Sequence, residues 1–402
     1  MSNVEGLQSA LMHTYNRFPV KITKGKGSYV WDDQGEQYLD YTTGIATCNL
    51  GHVPERVKTK LKEQMDLLWH CSNLYEVPGQ EKLASLLTEN SCLDQAFFCN
   101  SGAEANEAAI KLAKKYAKDQ GNPERTEIVT FTQSFHGRTG FTMAATAQEK
   151  IHQGFTPIMP GFRYIPYNDK EALKEIPNGK TTAVLLELIQ GEGGVFPADK
   201  EWVKQLENLC KENDILLMID EIQTGIGRTG TLFAYEQFDI EPDVITLAKG
   251  LGSGFPMGAM LAKEHAAASF QPGTHGSTFG GNPLAMSAGI ATVETILEEN
   301  ILESVQKKSD YLFDQLQTFK AEFSFIGEIR GAGFLIGVDM PGINVSEIVS
   351  KFREKNVLVL TAGTNTLRIL PPLTTTIDEL DRFISIAGQV FSEFEEEHGA
   401  KS

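Results

Sequence analysis

The sequence predicts an α/β protein built on a doubly wound, mainly parallel β-sheet. Between about residues 95 and 262, short apolar segments typical of buried strands alternate with segments of helical periodicity. Polar or glycine-rich residues follow these strands, as expected where loops gather at the carboxyl edge of such a sheet. The 402 residues exceed the usual size of one hydrophobic core. We therefore predict a large domain over residues 56–288, a smaller α/β domain over 289–402, and an N-terminal segment, 1–55, that packs with the smaller domain.

Composition and charge narrow the classes of function. The net charge of −17 argues against nucleic acid or an anionic membrane as a partner. Since no apolar run approaches the roughly 20 residues of a membrane span, and residues 1–17 lack the apolar centre of a signal peptide, we expect a cytoplasmic protein. The five cysteines are scattered, without a CxxC pair, so we expect reduced thiols and no metal site.

The N-terminal segment begins with a predicted β-hairpin. Two short strands, at residues 28–31 and 37–41, flank an acidic turn that ends at Gly35. Over residues 54–68, apolar side chains recur at spacings of three and four, which predicts an amphipathic helix. The aromatic segment 69–78 that follows is typical of a packed loop and equally of a loop that faces a substrate.

The first candidate binding site lies where a predicted strand leads directly into a helix. The strand ends at Asn100, and Ser101 and Gly102 open an alanine-rich helix. The free N–H groups and partial positive charge of a helix N-terminus can bind phosphate, and Ser101 adds a hydroxyl. Serine in this place is also an ordinary helix cap, so this motif alone leaves both readings open.

The strand predicted at residues 126–131 is followed by residues that suit a flat, charged ligand. Phe135 can stack on a heterocycle, and Arg138 can bind a carboxylate through two parallel hydrogen bonds. Phe135 is equally compatible with the core, and His136 with an ordinary hydrogen-bonded loop. Spacing along the chain does not decide between these alternatives.

A glycine-rich loop, residues 189–194, follows the strand predicted at 183–188. Its glycines resemble a phosphate-binding loop, but Glu192 lies among them. Because a carboxylate repels phosphate, we interpret Glu192 as the partner of an arginine.

The most informative stretch runs from residue 215 to residue 258. A strand at 215–219 ends in Asp220, and a strand at 244–247 is followed by Lys249 and a run of glycines. A single acid or lysine in such a place is more often a cap or a solvated charge. An acid and a lysine at one sheet edge suit pyridoxal phosphate, which uses an acid at its ring nitrogen and a lysine at its aldehyde.

The pattern changes after Gly289, where the smaller domain is predicted. The elements expected there are a helical stretch at 285–317, a glycine-interrupted strand pair at 327–338, a helix at 345–355, strands at 357–360 and 367–370, and an acidic helix at 377–397.

Taken together, the motifs resemble the fold type I, class III aminotransferases that depend on pyridoxal phosphate. Two positions depart from that family: Leu188 stands where proline is usual, and Ser253 where glycine is usual. The matching stretches follow in order over nearly the whole chain: Gly44–Ala46, Leu50–His52, His70–Leu74, Asn100–Ala109, Ser134–Thr139, Glu187–Gly194, Asp220–Gly230, Ala248–Ala259, His275–Leu284 and Arg368–Leu373.

The resemblance implies a set of cofactor-binding residues. Lys249 would bind the cofactor aldehyde and later move the substrate proton, while Asp220 would keep the ring nitrogen protonated. A homodimer with shared active sites is implied as well, because Thr278 would complete the phosphate site of the neighbouring subunit. The remaining cofactor contacts implied are Ser101, Gly102 and Ala103 at the phosphate, Phe135 on the ring face, Gln223 at the ring oxygen, and Glu187.

The resemblance also assigns substrate contacts. Arg138 would bind the α-carboxylate of the amino donor, and Arg368 that of 2-oxoglutarate, with Glu192 masking Arg368 while the donor is bound. Ser277 is assigned to the substrate site as well. The segments 70–74 and 254–259 favour the acetylornithine branch of the family. That branch implies the transfer of an amino group from N2-acetyl-L-ornithine to 2-oxoglutarate, which gives N-acetyl-L-glutamate 5-semialdehyde and L-glutamate.

Other functions stay open. Ornithine, succinylornithine or 4-aminobutyrate could be the amino donor instead. A racemase or aminomutase on the same fold would keep Lys249 and Asp220 but would form no glutamate. A dinucleotide-binding protein without pyridoxal phosphate is disfavoured because residues 100–106 do not supply the G-x-G-x-x-G motif.

Overall fold

The computed structural model describes residues 10–399 and contains the predicted N-terminal hairpin. The Asp32 carboxylate closes the hairpin by accepting hydrogen bonds from the backbone N–H groups of Gln34 and Glu36. The helix predicted over 54–68 ends earlier, at Met65, and the apolar side chains beyond it are exposed. Numbered along the chain, these elements are β1 Ile22–Lys26, β2 Tyr29–Asp32, β3 Gln37–Asp40, α1 Thr43–Ala46, α2 Glu55–Met65 and α3 Pro78–Thr88.

Strands and helices alternate through the middle of the chain, as predicted. They are β4 Gln95–Cys99, α4 Gly102–Asp119, β5 Glu127–Phe131, α5 Gly140–Ala145, α6 Glu149–His152, β6 Phe162–Ile165, β7 Thr181–Leu186, β8 Ile189–Gln190, α7 Gly191–Gly194, β9 Phe196–Pro197, α8 Lys200–Glu212, β10 Leu216–Asp220, β11 Val244–Leu247, β12 Gly258–Ala262 and α9 Glu264–Ala267. Short 3-10 helices lie at Ala172–Glu175, Ala234–Phe238 and Lys249–Gly252.

The central sheet has the strand order β4-β12-β11-β10-β7-β5-β6. From β11 to β6, all neighbouring strands are parallel, so the prediction of a mainly parallel sheet is confirmed. The strand β12 was not predicted, and it runs antiparallel to both of its neighbours. Its sequence, GAMLA, carries glycine and alanine, which have low strand propensity. The parallel strands bring their carboxyl ends, including Asp220 and the chain just before Lys249, to one edge.

Helices cover both faces of this sheet. Leu216 and Met218 of β10 pack on the side of α4, whereas Leu217 and Ile219 belong to the cluster that contains Trp202 of α8. Every residue of β7 and β10 is buried. Successive side chains of a strand point to opposite faces, so these continuous apolar runs fill two helix-covered layers, as in a doubly wound fold.

The C-terminal part differs from its prediction in two places. The helical stretch expected at 285–317 is two helices, because Asn300 adopts a left-handed backbone conformation (φ 52°) between them. The strand expected at 357–360 is divided between two sheets. The elements are α10 Pro283–Glu298, α11 Ile301–Glu322, β13 Ile329–Ala332, β14 Leu335–Asp339, α12 Val345–Glu354, β15 Val357–Leu358, β16 Leu360–Ala362, β17 Thr366–Ile369 and α13 Ile377–Gly399.

The C-terminal strands form two small sheets. One has the order β13-β14-β17-β16, and the other joins β15 to the N-terminal strands in the order β1-β2-β3-β15. The domain boundaries placed after residues 55 and 288 stay predictions. Residues 1–9 of the N-terminal segment and 400–402 of the smaller domain lie outside the described residues. Within residues 10–399, no helix combines the length and apolar character that crossing a membrane requires.

Candidate active site

A cavity of about 440 Å³ opens at the carboxyl edge of the central sheet. Residues that the sequence analysis did not assign also line it, among them Asn100, His136, Ile222 and the segment 254–257. The predicted site residues in its wall are Ser101, Gly102, Ala103, Phe135, Arg138, Glu187, Glu192, Asp220, Gln223 and Lys249. Side chains that are up to 148 positions apart in sequence (249 minus 101) thus surround one space.

Lys249 lies directly after β11, where the chain turns into a short 3-10 helix. Its backbone is left-handed (φ 41°), a conformation that costs a non-glycine residue free energy and often occurs at functional sites. Within residues 10–399, its amine makes no hydrogen bond or ion pair. Desolvation lowers the pKa of Lys249, while the carboxylates of Glu192 and Asp220 act in the opposite direction. Relative to a lysine in water, the site therefore shifts the equilibrium toward the neutral amine, which is the nucleophilic form.

Asp220 ends β10 and is held by three hydrogen bonds. Its Oδ2 accepts from Asn106 Nδ2 and faces His136 Nδ1, each at 2.8 Å, and its Oδ1 accepts from the backbone N–H of Ile222 at 3.0 Å. The carboxyl group is only 4% exposed, yet it lines the cavity. Because the bonds fix both oxygens, Asp220 presents its charge in one direction.

Asn106 and Thr246, which support Asp220, were not among the site residues predicted from the sequence. Thr246 lies beside Asp220 on the neighbouring strand, and its hydroxyl donates to Asn106 Oδ1 at 2.7 Å. The available signal was a polar residue at an apolar position: Asn106 belongs to the buried face of α4, and Thr246 interrupts the apolar strand VITL. His136 was considered only as an ordinary loop residue.

The N-terminus of α4 faces the same cavity. Ser101 Oγ accepts from the backbone N–H of Glu104 at 3.2 Å, so the hydroxyl caps the helix and keeps its own proton for another partner. A side chain at Gly102 would bring its Cβ to 2.7 Å from Ile222 Cδ1. Any larger residue there would require Ile222 to move, whereas with glycine the first N–H groups of the helix face the cavity.

Phe135 and Glu187 are tied together at another part of the wall. Glu187 accepts hydrogen bonds from the backbone N–H groups of Phe135 (2.9 Å) and Gly191 (3.3 Å). Burial, followed by the nearby charge of Asp220, raises the pKa of Glu187 well above its usual range. The backbone beside the Phe135 ring is therefore fixed.

Arg368 does not line the cavity itself but contacts two residues that do. Its guanidinium binds the Glu192 carboxylate at 2.7 Å and donates to Gln223 Oε1 at 3.2 Å. Desolvation disfavours the Glu192 carboxylate, but the charge and hydrogen bond of Arg368, together with the charge of Lys249 and a hydrogen bond from Gln223, lower the pKa of Glu192 on balance. The Nε of Arg368 is buried without a partner in residues 10–399, so the guanidinium retains a free donor. The structure thus contains the pairing expected from sequence.

The remaining predicted substrate and cofactor residues are Arg138, Ser277 and Thr278. Arg138 is exposed at the cavity wall, with its guanidinium carbon 5.7 Å from the centre of the Phe135 ring. The structure does not bring Ser277 and Thr278 to this cavity. They line an adjacent hollow of about 420 Å³, where the Ser277 hydroxyl accepts from Asn100 Nδ2 at 3.1 Å and Thr278 is exposed.

The two positions that depart from the family pattern are accommodated. Ser253 adopts a left-handed backbone conformation (φ 44°), which explains why glycine is usual there. Its hydroxyl accepts from the backbone N–H of Leu50 at 3.1 Å and so gains a contact that glycine cannot make. Leu188 is fully buried in the main hydrophobic core.

The cavity wall suits pyridoxal phosphate. The cofactor needs an amine for its aldehyde, an acid for its ring nitrogen and an anion site for its phosphate. Lys249 supplies an amine without a partner among residues 10–399, Asp220 a fixed carboxylate, and the start of α4 a glycine-lined helix terminus. All three border one space.

Comparisons with known proteins agree with this chemistry. Residues 10–391 match the family described as Aminotransferase class-III. The acetylornithine aminotransferase of Oceanobacillus iheyensis is 65% identical over 97% of this chain and 98% of its own. The crystal structure of N-acetylornithine aminotransferase from Stenotrophomonas maltophilia K279a has a TM-score of 0.84 and 37% identity, and covers 96% of this chain and 98% of its own. That of ornithine aminotransferase from Toxoplasma gondii ME49 has a TM-score of 0.94 and 31% identity, with coverages of 97% and 94%.

Proposed function

The chain belongs to the class-III aminotransferases, and on that basis we propose that it transfers the side-chain amino group of N2-acetyl-L-ornithine to 2-oxoglutarate. The products are N-acetyl-L-glutamate 5-semialdehyde and L-glutamate, and the step serves arginine biosynthesis. The observation that carries the proposal is the 65% identity, over nearly the full length of both chains, to an acetylornithine aminotransferase. The bound cofactor is pyridoxal phosphate.

Pyridoxal phosphate supplies the electron sink that makes the carbon–hydrogen bond beside the substrate nitrogen acidic. Lys249 lies at the cavity wall and can accept and return that proton; desolvation lowers the pKa of its amine, which makes the neutral, proton-accepting form easier to reach than in water. Asp220 holds a proton at the ring nitrogen. The N-terminus of α4, with Ser101 as its cap, would hold the phosphate, and Phe135 and Gln223 would contact the ring.

The pair of Glu192 and Arg368 lets one site accept two different substrates. While acetylornithine is bound, Glu192 neutralises Arg368, so the uncharged part of the donor meets no free cation. When 2-oxoglutarate enters, its carboxylate replaces Glu192 on the guanidinium. The partial exposure of Glu192, at 30% of its side chain, supports this movement.

The acids around the cavity favour an acylated donor. In the proposed scheme Asp220 pairs with the protonated ring nitrogen of the cofactor, and Glu192 pairs with Arg368. Glu187 accepts two backbone N–H groups and its pKa is raised. A free α-ammonium group, as in ornithine, would therefore find no available carboxylate in this wall, whereas an acetylated nitrogen requires none.

Ornithine remains the second candidate donor because of the structural similarity to ornithine aminotransferase from Toxoplasma gondii. The test compares kcat/KM for acetylornithine and ornithine, with glutamate formation from 2-oxoglutarate as the readout. We expect a preference for acetylornithine of roughly 10- to 100-fold, as one unpaired charged group would produce. Equal or faster turnover of ornithine would overturn the proposal.

We also propose a cytoplasmic homodimer in which Thr278 reaches the site of the partner chain. Asn73 joins two exposed loops by donating to the carbonyls of Ser277 (3.0 Å) and Gly280 (2.9 Å), and Thr278 lies on the second of these loops. The surface around them is rich in exposed apolar side chains, as expected of an interface. These are Met65, Leu67, Trp69, Leu74, Tyr75 and Phe279.

A complementation experiment tests this arrangement. Lys249→Ala and Thr278→Val chains are each expected to lose most activity alone. When they are refolded or coexpressed together, a mixed dimer has one intact site only if Thr278 acts across the interface. Recovered glutamate formation supports the proposal, and its absence in verified mixed dimers contradicts it. Ultracentrifugation should give twice the chain mass of 44.3 kDa.

A further inference from the structure

We propose that His136 is a positioning residue that stays neutral and, together with Asn106, keeps the Asp220 carboxylate ionised and directed at the cofactor ring nitrogen. The inference rests on the proposed function only in placing that ring beside Asp220. It assigns a purpose to a histidine that touches neither substrate nor cofactor in the proposed scheme.

His136 is held by a hydrogen bond of its ring and by hydrogen bonds of both its peptide groups. Its Nδ1 lies 2.8 Å from Asp220 Oδ2, and its side chain is buried. Its backbone N–H donates to Thr146 Oγ1, and its carbonyl accepts from Asn106 Nδ2, each at 2.9 Å. The peptide groups thus fix the backbone that carries the ring, and the buried ring itself is held by its hydrogen bond to Asp220.

The surroundings of the ring select one protonation state. Asp220 is an acceptor, so Nδ1 carries the proton. The opposite nitrogen, Nε2, is buried and has no partner in residues 10–399. A second proton there would create both an unpaired donor and a buried positive charge, which costs more than an unpaired acceptor on a neutral ring. His136 therefore donates to Asp220 without neutralising it.

Asn106 provides the second donor, and its orientation is determined by Thr246. The Thr246 hydroxyl donates to Asn106 Oδ1, which leaves the amide nitrogen facing Asp220 Oδ2 and the His136 carbonyl. The reversed amide would place its oxygen against two other oxygens. Both hydrogens of the amide are thus used, and the side chain cannot flip.

Two neutral donors on a carboxylate favour its charged form while leaving the charge uncompensated. A cation in place of His136 would instead pair with Asp220 inside the protein and weaken its attraction for a protonated ring nitrogen. The arrangement keeps the full charge of Asp220 available to the cofactor. The residues of this arrangement come from three elements: Asp220 from β10, Asn106 from α4 and His136 from the loop after β5.

Two substitutions separate this role from simple packing. His136→Leu fills similar space but donates nothing, whereas His136→Asn can place an amide N–H where Nδ1–H was. We expect the leucine variant to retain cofactor roughly 10- to 100-fold less tightly in equilibrium dialysis of the full-length enzyme. Its kcat should fall while the KM values of both substrates change little. The asparagine variant should recover most of the lost affinity.

Nitrogen NMR of histidine-labelled wild-type holoenzyme gives a readout that is independent of activity and of cofactor affinity. We expect a protonated Nδ1 and an unprotonated Nε2 for His136, assigned by the loss of its signals in the asparagine variant. A doubly protonated ring would overturn the proposal, and so would leucine and asparagine variants of equal cofactor affinity. If the wild type forms no glutamate from acetylornithine, the proposed function fails, yet the dialysis and NMR results still decide the role of His136.

Discussion

Replacing Glu192 by glutamine should shift the two half-reactions in opposite directions. The carboxylate lies 2.7 Å from the Arg368 guanidinium, which is itself buried. Glutamine has nearly the same shape but carries no charge. The donor half-reaction would then run beside an unmasked cation, while the 2-oxoglutarate carboxylate would no longer need to displace a competing acid.

The size of the effect follows from the geometry of the pair. A hydrogen bond to a charged group contributes about 1.5–3 kcal/mol. We take the lower part of that range, about 1.5–2 kcal/mol, because the Glu192 side chain is 30% exposed and water screens the pair. This corresponds to roughly a 10- to 30-fold weaker donor half-reaction and a similar gain in 2-oxoglutarate affinity.

Stopped-flow absorbance of the cofactor measures each half-reaction separately. Glu192→Asp is the matched control, because it keeps the charge but shortens the side chain by one methylene. It should fall between the wild type and the glutamine variant. Parallel changes in both half-reactions would refute the masking role, since a general loss of site structure weakens both substrates alike.

Three further predictions concern chemistry, stability and pH. Lys249→Ala should keep the fold by circular dichroism and lose at least about 100-fold in turnover; near-normal activity would remove its assigned role. Arg228→Met should lower the free energy of unfolding by about 2–4 kcal/mol in urea titration, because the buried guanidinium bonds Asn49 and the carbonyls of Phe334 and Pro371; an unchanged midpoint would contradict this. Burial raises the pKa of Glu221 from its ordinary 4.5 to about 7. As pH rises, the unfolded state loses this proton at a lower pH than the folded state does. The free energy of unfolding should therefore fall by up to ~3 kcal/mol between about pH 4.5 and pH 7. Glu221→Gln should remove this slope, and an equal slope in that variant would assign it to other groups.

The sequence predicted the sheet and much of its edge because those features are local. Strands such as 215–219 are recognisable as apolar runs, and Asp220 and Lys249 could be identified because they lie where such runs end. The break at Asn300 had a weak local signal, since asparagine tolerates left-handed backbone better than most residues.

The support of Asp220 could not be predicted in the same way. Asn106 lies 114 positions from Asp220 and 140 from Thr246, so their contacts depend on which helix crosses which strand. Side-chain periodicity marks these positions only as buried. The lack of a partner for His136 Nε2 among residues 10–399 is likewise a property of packing, because it depends on which side chains of the neighbouring elements come within hydrogen-bond distance.

Helix α4 serves the proposed cofactor site at two points: its N-cap residue, Ser101, lines the cavity, and Asn106, little more than one turn later, hydrogen-bonds Asp220. The five-residue spacing therefore sets the distance between the anion-binding part of the site and the residue that supports Asp220 at the ring nitrogen. Inserting one residue would rotate everything beyond it by about 100°, so that either the amide or the helix start would lose its register. Length changes in this short segment should be far less tolerated than substitutions along the outer face of the same helix.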